Sequence, residues 1–411
     1  MNQESLGVTK VKYTLMDKVK SMGPAFIIVG SFLGPGTITT ATKTGASFGY
    51  GLLWTIVFSI IATIVLQEMS ARLGIITQKE LPVHIIDLFE NKPILKNIAI
   101  LFVGGAITLG GIAYMSGNMI GTSLGISNIT GLPTQYISPI IGIIILGIIN
   151  LGDVEWLEKI LSVLVALMVI VFAVTMIVVK PDLGELAKGF VPIIPKGGLM
   201  HCIALIGTTI VPYNLFIHCS NSQKHWKTPE ELNLSKWGTY AAITIGGLVT
   251  ASVMITAAAV MRGMSVNSAA DMAFQLEPVL GKYSNIFMSI GLFSAGLSSA
   301  IVTPLGVSYV LGGLLGWKLD KTDKRFLYTN MGILISGIFG SVTGINPISI
   351  IMAAQALNGI FLPVIVIFLV YITCSEKVLG KYANTKTVKI LGILISIITF
   401  VLGTSSVLSM F

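Results

Sequence analysis

Charge is what this chain has least of. Only 11% of its 411 residues are Asp, Glu, Lys or Arg, where a water-soluble domain carries roughly a quarter. With 54% hydrophobic residues, its repeated apolar runs of about 20 residues match the hydrocarbon thickness of a bilayer, so a polytopic membrane protein is expected. Cysteine is scarcer still. Cys202, Cys219 and Cys374 fall in or beside apolar runs without paired spacing, which excludes a disulfide framework and a zinc site and leaves them as small packing residues. His84, His201 and His225 lie at run ends or in loops and read as surface groups. Without a nucleophile–base pairing or a nucleotide motif, no enzyme and no cofactor are expected. The first 20 residues are polar and basic and lack a small-residue cleavage site, so no cleavable signal peptide is expected.

What is present is an array of apolar runs. Eleven spans are predicted at 22–44, 49–71, 97–124, 137–152, 156–179, 199–222, 237–261, 284–314, 326–342, 347–374 and 388–408. With the N-terminus inside, only Lys43, Lys180, Lys188, Lys196, Arg262 and Lys282 of the 26 Lys and Arg fall outside. That split obeys the positive-inside rule and predicts a multi-pass cell-membrane protein with a cytoplasmic N-terminus and an external C-terminus. Topology thus accounts for the net charge of +8, and a nucleic-acid partner is excluded.

Two spans carry a proline among other helix-breaking or polar residues near mid-length. Span 1 has Gly34-Pro35-Gly36-Thr37, and span 6 has Val211-Pro212-Tyr213-Asn214. Proline costs about 3 kcal/mol inside a helix and glycine about 1. In lipid each freed backbone group costs several kcal/mol more, so such breaks persist only where protein, water or substrate pairs those groups. If spans 1–5 and 6–10 form two halves, the breaks occupy corresponding positions, the pattern of a transporter built from inverted repeats with its site at the broken helices. The expected segments are a cytoplasmic stretch 1–21, a first repeat 22–179, a second repeat 180–374, and an eleventh span with the C-terminus, 375–411. In span 8, Gly291, Ala295 and Ser299 recur every four residues as a close-packing stripe, and Ser298, Ser299 and Thr303 add hydroxyls. In span 10, Gln355 and Asn358 share a face and are expected to meet a cavity or each other.

These residues carry a resemblance. "GPAFIIVGSFLGPGTITTATKTGASFGYGLLW" followed by "QEMSARLGIIT", the sixth-span "IGTTIVPYNLFIHCS" and the eighth-span "GLFSAGLSS" resemble the NRAMP divalent-metal transporters. The likeness runs over nearly the whole chain. It implies an all-α LeuT-type fold of two five-helix inverted repeats plus an eleventh span, working by alternating access. The family's first-span Asp-Pro-Gly-Asn, whose Asp and Asn hold the metal, stands here as Gly34-Pro35-Gly36-Thr37. Its sixth-span Met-Pro-His stands as Val211-Pro212-Tyr213. An acidic position that often follows aligns with Ala41, and Lys43 lies two residues on. The third-span Asp and Glu of the family's proton route align with Met115 and Asn118. The second sixth-span His is kept as His218 and the tenth-span Gln as Gln355.

The scaffold is therefore kept while nearly every metal and proton ligand is replaced. No metal site is expected. Substrate-binding candidates are Gly34, Thr37, Val211, Tyr213, Asn214 and Gln355. His218 reads equally as a packed hydrogen-bonded group and as a coupling group. Ser298 and Ser299 are candidates for sodium coupling, with plain packing the leading reading. Half-helix N-termini and neutral donors suit a small neutral, zwitterionic or anionic solute. The alternatives are a divalent metal held by carbonyls, waters and Gln355, and a non-transporting binding or sensor protein. The implied partners are that solute or ion and the lipid bilayer, and nothing in the sequence demands more than a monomer.

Overall fold

The computed structural model describes residues 14–151, 155–319 and 322–408. Residues 1–13 of the expected cytoplasmic segment, the end of span 4 at 152, and 409–411 lie outside them. Among the described residues there is no strand, and helices occupy all eleven expected spans. Seven are long and apolar enough to cross a membrane.

Span 1 is two helices, Gly23–Phe32 (1a) and Pro35–Phe48 (1b). Span 6 is likewise two, Leu199–Thr209 (6a) and Pro212–His225 (6b). The local chemistry explains both breaks. Proline restricts the residue before it to extended backbone, and its missing N–H is no loss at a helix start. Gly34 is accordingly extended (φ −83°, ψ −177°), as is Val211 (φ −72°, ψ 121°), and Pro35 and Pro212 open the helices that follow. Both prolines are buried.

The other spans are Leu53–Thr77 (2), Pro93–Thr130 (3), Thr134–Leu151 (4), Glu155–Val178 (5), Leu232–Val260 (7), Ser284–Leu315 (8), Lys324–Ser341 (9), Pro347–Thr373 (10) and Lys386–Leu408 (11). Span 3 departs most from expectation. It has 38 residues rather than the 28 of 97–124 and ends where Gly131 turns left-handed (φ 73°). At 1.5 Å per residue it is about 57 Å long, well beyond a 30 Å hydrocarbon core. A hydropathy reading stops where the residues turn polar, whereas the helix runs on into water.

Span 3 lies along spans 8, 9 and 10. Half-helix 1b packs on span 7, 6a on span 10, and 6b on span 2. Close approach is built in at Gly207, where a Cβ would sit 2.0 Å from the Gln355 carbonyl oxygen; only glycine lets 6a and span 10 touch backbone to backbone. Of the span 8 stripe, Gly291 abuts Met168 of span 5, while Ser299 reaches span 1. Spans 3, 8 and 10 thereby enclose the two breaks.

Candidate functional site

Breaking 1a leaves its last carbonyls without helical partners, and buried carbonyls need replacements. Three side chains supply them. Thr37 Oγ1 donates to the Phe32 carbonyl, Tyr114 OH donates to that of Ser31 at 2.9 Å, and Ser299 Oγ donates to the same Ser31 oxygen at 3.3 Å.

The two breaks are joined directly. Thr37 Oγ1 lies 2.7 Å from Thr208 Oγ1, and Ser31 Oγ donates to Asn214 Oδ1 at 3.0 Å. Ser31 and Thr208 each stand four residues before their proline, and Thr37 and Asn214 each stand two after. Each hydrogen bond therefore joins the earlier position of one half to the later position of the other. This is the exchange that a two-fold relation between the halves produces. Tyr213 OH lies 3.3 Å from Ser31 Oγ and 3.2 Å from Thr303 Oγ1, with its ring edge-on to Tyr114. Asn118 Nδ2 donates to Thr303 Oγ1 at 3.0 Å.

Gln355 closes the ring from span 10. A Cβ on Gly36 would fall 2.1 Å from its Nε2, so the first turn of 1b rests against the amide face. Thr37, Tyr213, Asn214, Gln355, Asn118 and Ser299 are each no more than 1% exposed. Several polar atoms here have no partner within the protein: both amide atoms of Gln355, Asn118 Oδ1 and Asn214 Nδ2. An unmade hydrogen bond on a buried group costs about 1–3 kcal/mol, and most buried polar atoms in native proteins are paired. The unpartnered set holds acceptors (Gln355 Oε1, Asn118 Oδ1) and donors (Gln355 Nε2, Asn214 Nδ2), all uncharged.

The structure thus brings together Gly34, Thr37, Val211, Tyr213, Asn214 and Gln355. The remaining expected residues lie as follows. Asn118, aligned only with a replaced proton-route position, sits at the break: its Oδ1 is 3.6 Å from where a Gly34 Cβ would lie. Met115 faces away and packs on Gly337 of span 9. Ser298 is half-buried and, one residue from Ser299, points about 100° round the helix from the Ser31 carbonyl. His218 is buried, but five residues along from Tyr213 it faces span 7, with Nε2 3.2 Å from Thr239 Oγ1. His84 and His201 are no free surface groups: they meet Thr77 and Thr44 at 2.8 and 3.0 Å. The side chains of Ser31, Tyr114 and Thr208 are not among the sequence candidates, although a hydroxyl four residues before each proline is a signal the sequence offers.

A cation would find no charge at the breaks. Among the described residues no three His, Cys, Asp or Glu gather to hold a metal. Glu68 of span 2 is committed elsewhere: Arg72 Nε and Nη2 donate to its two oxygens at 2.9 and 3.0 Å, and Lys236 Nζ lies 3.2 Å from Oε1. Arg72 also donates to the Tyr382 carbonyl and to Asn384 Oδ1, tying span 2 to the segment before span 11.

Residues 25–409 match the family described as natural resistance-associated macrophage protein-like, Nramp. The chain belongs to the Nramp family. It is 28% identical over 401 residues to a divalent metal cation transporter MntH of Klebsiella pneumoniae, covering 95% of this chain and 93% of that one. It is 26% identical over 394 residues to the MntH of Deinococcus radiodurans, covering 93% and 88%. Among solved structures, a manganese transporter of Eremococcus coleocola superposes with a TM-score of 0.80 at 22% identity, over 98% of this chain and 89% of that one. MhsT in complex with L-phenylalanine superposes at 0.63 with 18% identity, over 97% and 99%. This Nramp chain is a membrane transporter of LeuT-type fold, with two five-helix inverted repeats, broken helices 1 and 6, and an eleventh span.

Proposed function

We propose that this Nramp protein moves a small organic solute that is neutral, zwitterionic or anionic and carries both hydrogen-bond donors and acceptors, by alternating access at the two breaks. One observation carries the reading: the amide of Gln355 is fully buried, uncharged and unpartnered against 1b, and Asn118 Oδ1 and Asn214 Nδ2 beside the breaks are unpartnered too. A solute with both kinds of group makes the missing bonds. A bare divalent cation meets only neutral oxygens, and its desolvation, of order tens of kcal/mol in a low-dielectric site, goes uncompensated. Fold does not decide between solutes, because structures of this architecture include a manganese transporter and a protein holding L-phenylalanine.

A second reading is a divalent metal held by carbonyls, waters and Gln355. It is favoured by relatives named divalent metal cation transporters over more than nine-tenths of the chain. The deciding experiment screens the purified protein by thermal shift against manganese, magnesium, amino acids and carboxylates, then measures liposome uptake of the strongest stabiliser. Stabilisation by an organic solute, lost in Gln355→Leu, supports the proposal. Micromolar manganese binding abolished by Thr37→Ala or Gln355→Leu refutes it. Binding without uptake marks a sensor. On this reading repeats 22–179 and 180–374 rock about the breaks, with the N-terminus cytoplasmic and the C-terminus outside, an orientation that protease protection in right-side-out vesicles checks.

A further inference from the structure

Away from the breaks, a groove of about 1120 Å³ runs between span 10 and span 11. Its long walls are apolar: Ile367 and Tyr371 on span 10, and Ile393, Ile397 and Phe400 on span 11. Its mouth carries Lys377 and Lys389. A second cavity of about 410 Å³ adjoins this mouth, sharing Asp87, Leu88, Lys377 and Val378 with it and adding Thr77, Lys79 and His84. Three ammonium groups thus face one carboxylate. Asp87 is held by Lys79 at 3.3 Å, and among the described residues neither Lys377 nor Lys389 forms an ion pair. Glu376 neighbours Lys377 in sequence but lines neither cavity.

The dimensions are informative. Lys389 and Phe400 are eleven residues apart on one helix, about 16 Å at 1.5 Å per residue. One leaflet of a bilayer has about 15 Å of hydrocarbon. The groove is therefore about as long as one leaflet is deep, with free cations and a polar chamber at one end and aliphatic and aromatic side chains along its length.

We propose that this groove binds a two-chain anionic phospholipid. Lys377 and Lys389 hold the phosphate, the headgroup enters the chamber beside Thr77 and Lys79, and an acyl chain lies along Ile393, Ile397 and Phe400. Basic pockets between transmembrane helices favour anionic headgroups because each ammonium near the membrane surface adds attraction that a zwitterionic lipid, with its own cation, largely cancels. The site is independent of the solute at the breaks.

The test uses the full chain purified in a non-ionic detergent, with native mass spectrometry after adding phosphatidylglycerol or phosphatidylcholine. Phosphatidylglycerol is expected to be retained about tenfold or more tightly, the effect of two lysines beside a phosphate. Lys377→Gln with Lys389→Gln should erase that preference. Lys381→Gln with Lys386→Gln, an equal charge change outside the groove, should keep it. Ile393→Trp, which fills the groove from a half-exposed position, should weaken retention of both lipids and serves where the double variant does not fold. Equal retention of the two lipids, or equal losses in the two double variants, overturns the proposal in favour of diffuse attraction. A dimer that Ile393→Trp dissociates overturns it in favour of a second copy covering the groove.

Discussion

Gln355→Leu should make the protein more stable and less functional at once. Both amide atoms of Gln355 are buried and have no partner within the protein. Each such atom costs about 1–3 kcal/mol, and replacing it with an apolar group of similar shape recovers part of that cost. Leucine has nearly the volume of glutamine, and volume-conserving swaps cost little, so the backbone contact at Gly207 and the face against Gly36 persist. The net expectation is a gain of about 1–3 kcal/mol, read as a rise of a few degrees in the thermal midpoint of the detergent-purified protein. Solute binding loses two neutral hydrogen bonds at about 0.5–1.5 kcal/mol each, a fall in affinity of about 5–150-fold. Opposite signs on stability and function mark a group kept for its ligand. A fall in midpoint with uptake unchanged would refute the reasoning, because the amide would then be a structural tie.

Calorimetry should find negligible manganese binding. Gly34→Asp, Thr37→Asn and Val211→Met together should restore part of it, and more fully with Ser299→Ala, since a Cβ at Gly34 stands 2.9 Å from Ser299 Oγ. Arg72→Gln should destabilise by less than the about 3–5 kcal/mol of a fully stranded buried charge, because Lys236 stays 3.2 Å from Glu68, and Lys236→Gln added to it should bring the loss up to that range, read by denaturation midpoints. Glu80, in the loop after span 2, has its carboxyl pushed above the usual range by burial, against the opposing bond from Ser220. Its protonated form is favoured in the fold, so that stability is complete in acid and is lost as pH rises through the raised value. Glu80→Gln should therefore match the parent in acid and exceed its midpoint at neutral pH.

The breaks were legible because their cause is local. A proline imposes extended backbone on the residue before it and starts a helix after it, whatever the surroundings. Thr37, Tyr213 and Asn214 followed, being within two residues of a proline, and Gln355 followed as an amide in a lipid-length apolar run. Ser31, Thr208 and Tyr114 did not, because hydroxyls are common in membrane helices. Their role is set by which carbonyls the break frees and which helix passes nearby, a matter of three-dimensional placement. Asn118 was read as a lost proton-route group since alignment reports what a position replaced. Only the packing of span 3 on span 8 reports what it now touches. His218 and Ser298 each carry two readings from sequence, packing and coupling, and their positions favour packing. Nearness in sequence to a break does not survive the 100° turn per residue of a helix.

The reciprocal pairs across the breaks show how this scaffold closes its broken helices without an ionic group. Thr37 with Thr208, and Ser31 with Asn214, join the halves through neutral bonds. The carbonyls freed from 1a are met by Thr37, Tyr114 and Ser299. No cation is needed to pair those groups, so the backbone cost that makes broken helices rare in membranes is offset inside the protein. The internal bonds stop short at Gln355, Asn118 Oδ1 and Asn214 Nδ2, which lie on spans 10, 3 and 6b. A structure evolved only to close its own breaks would have left apolar side chains at those three positions, since an unpaired buried amide costs more than the methyl groups that could fill its place. On the proposed function, spans 10, 3 and 6b each keep unspent neutral hydrogen-bonding capacity beside the breaks. A solute that engages all three at once binds the closed arrangement better than either open one, and that differential affinity is the only means by which it can drive the change.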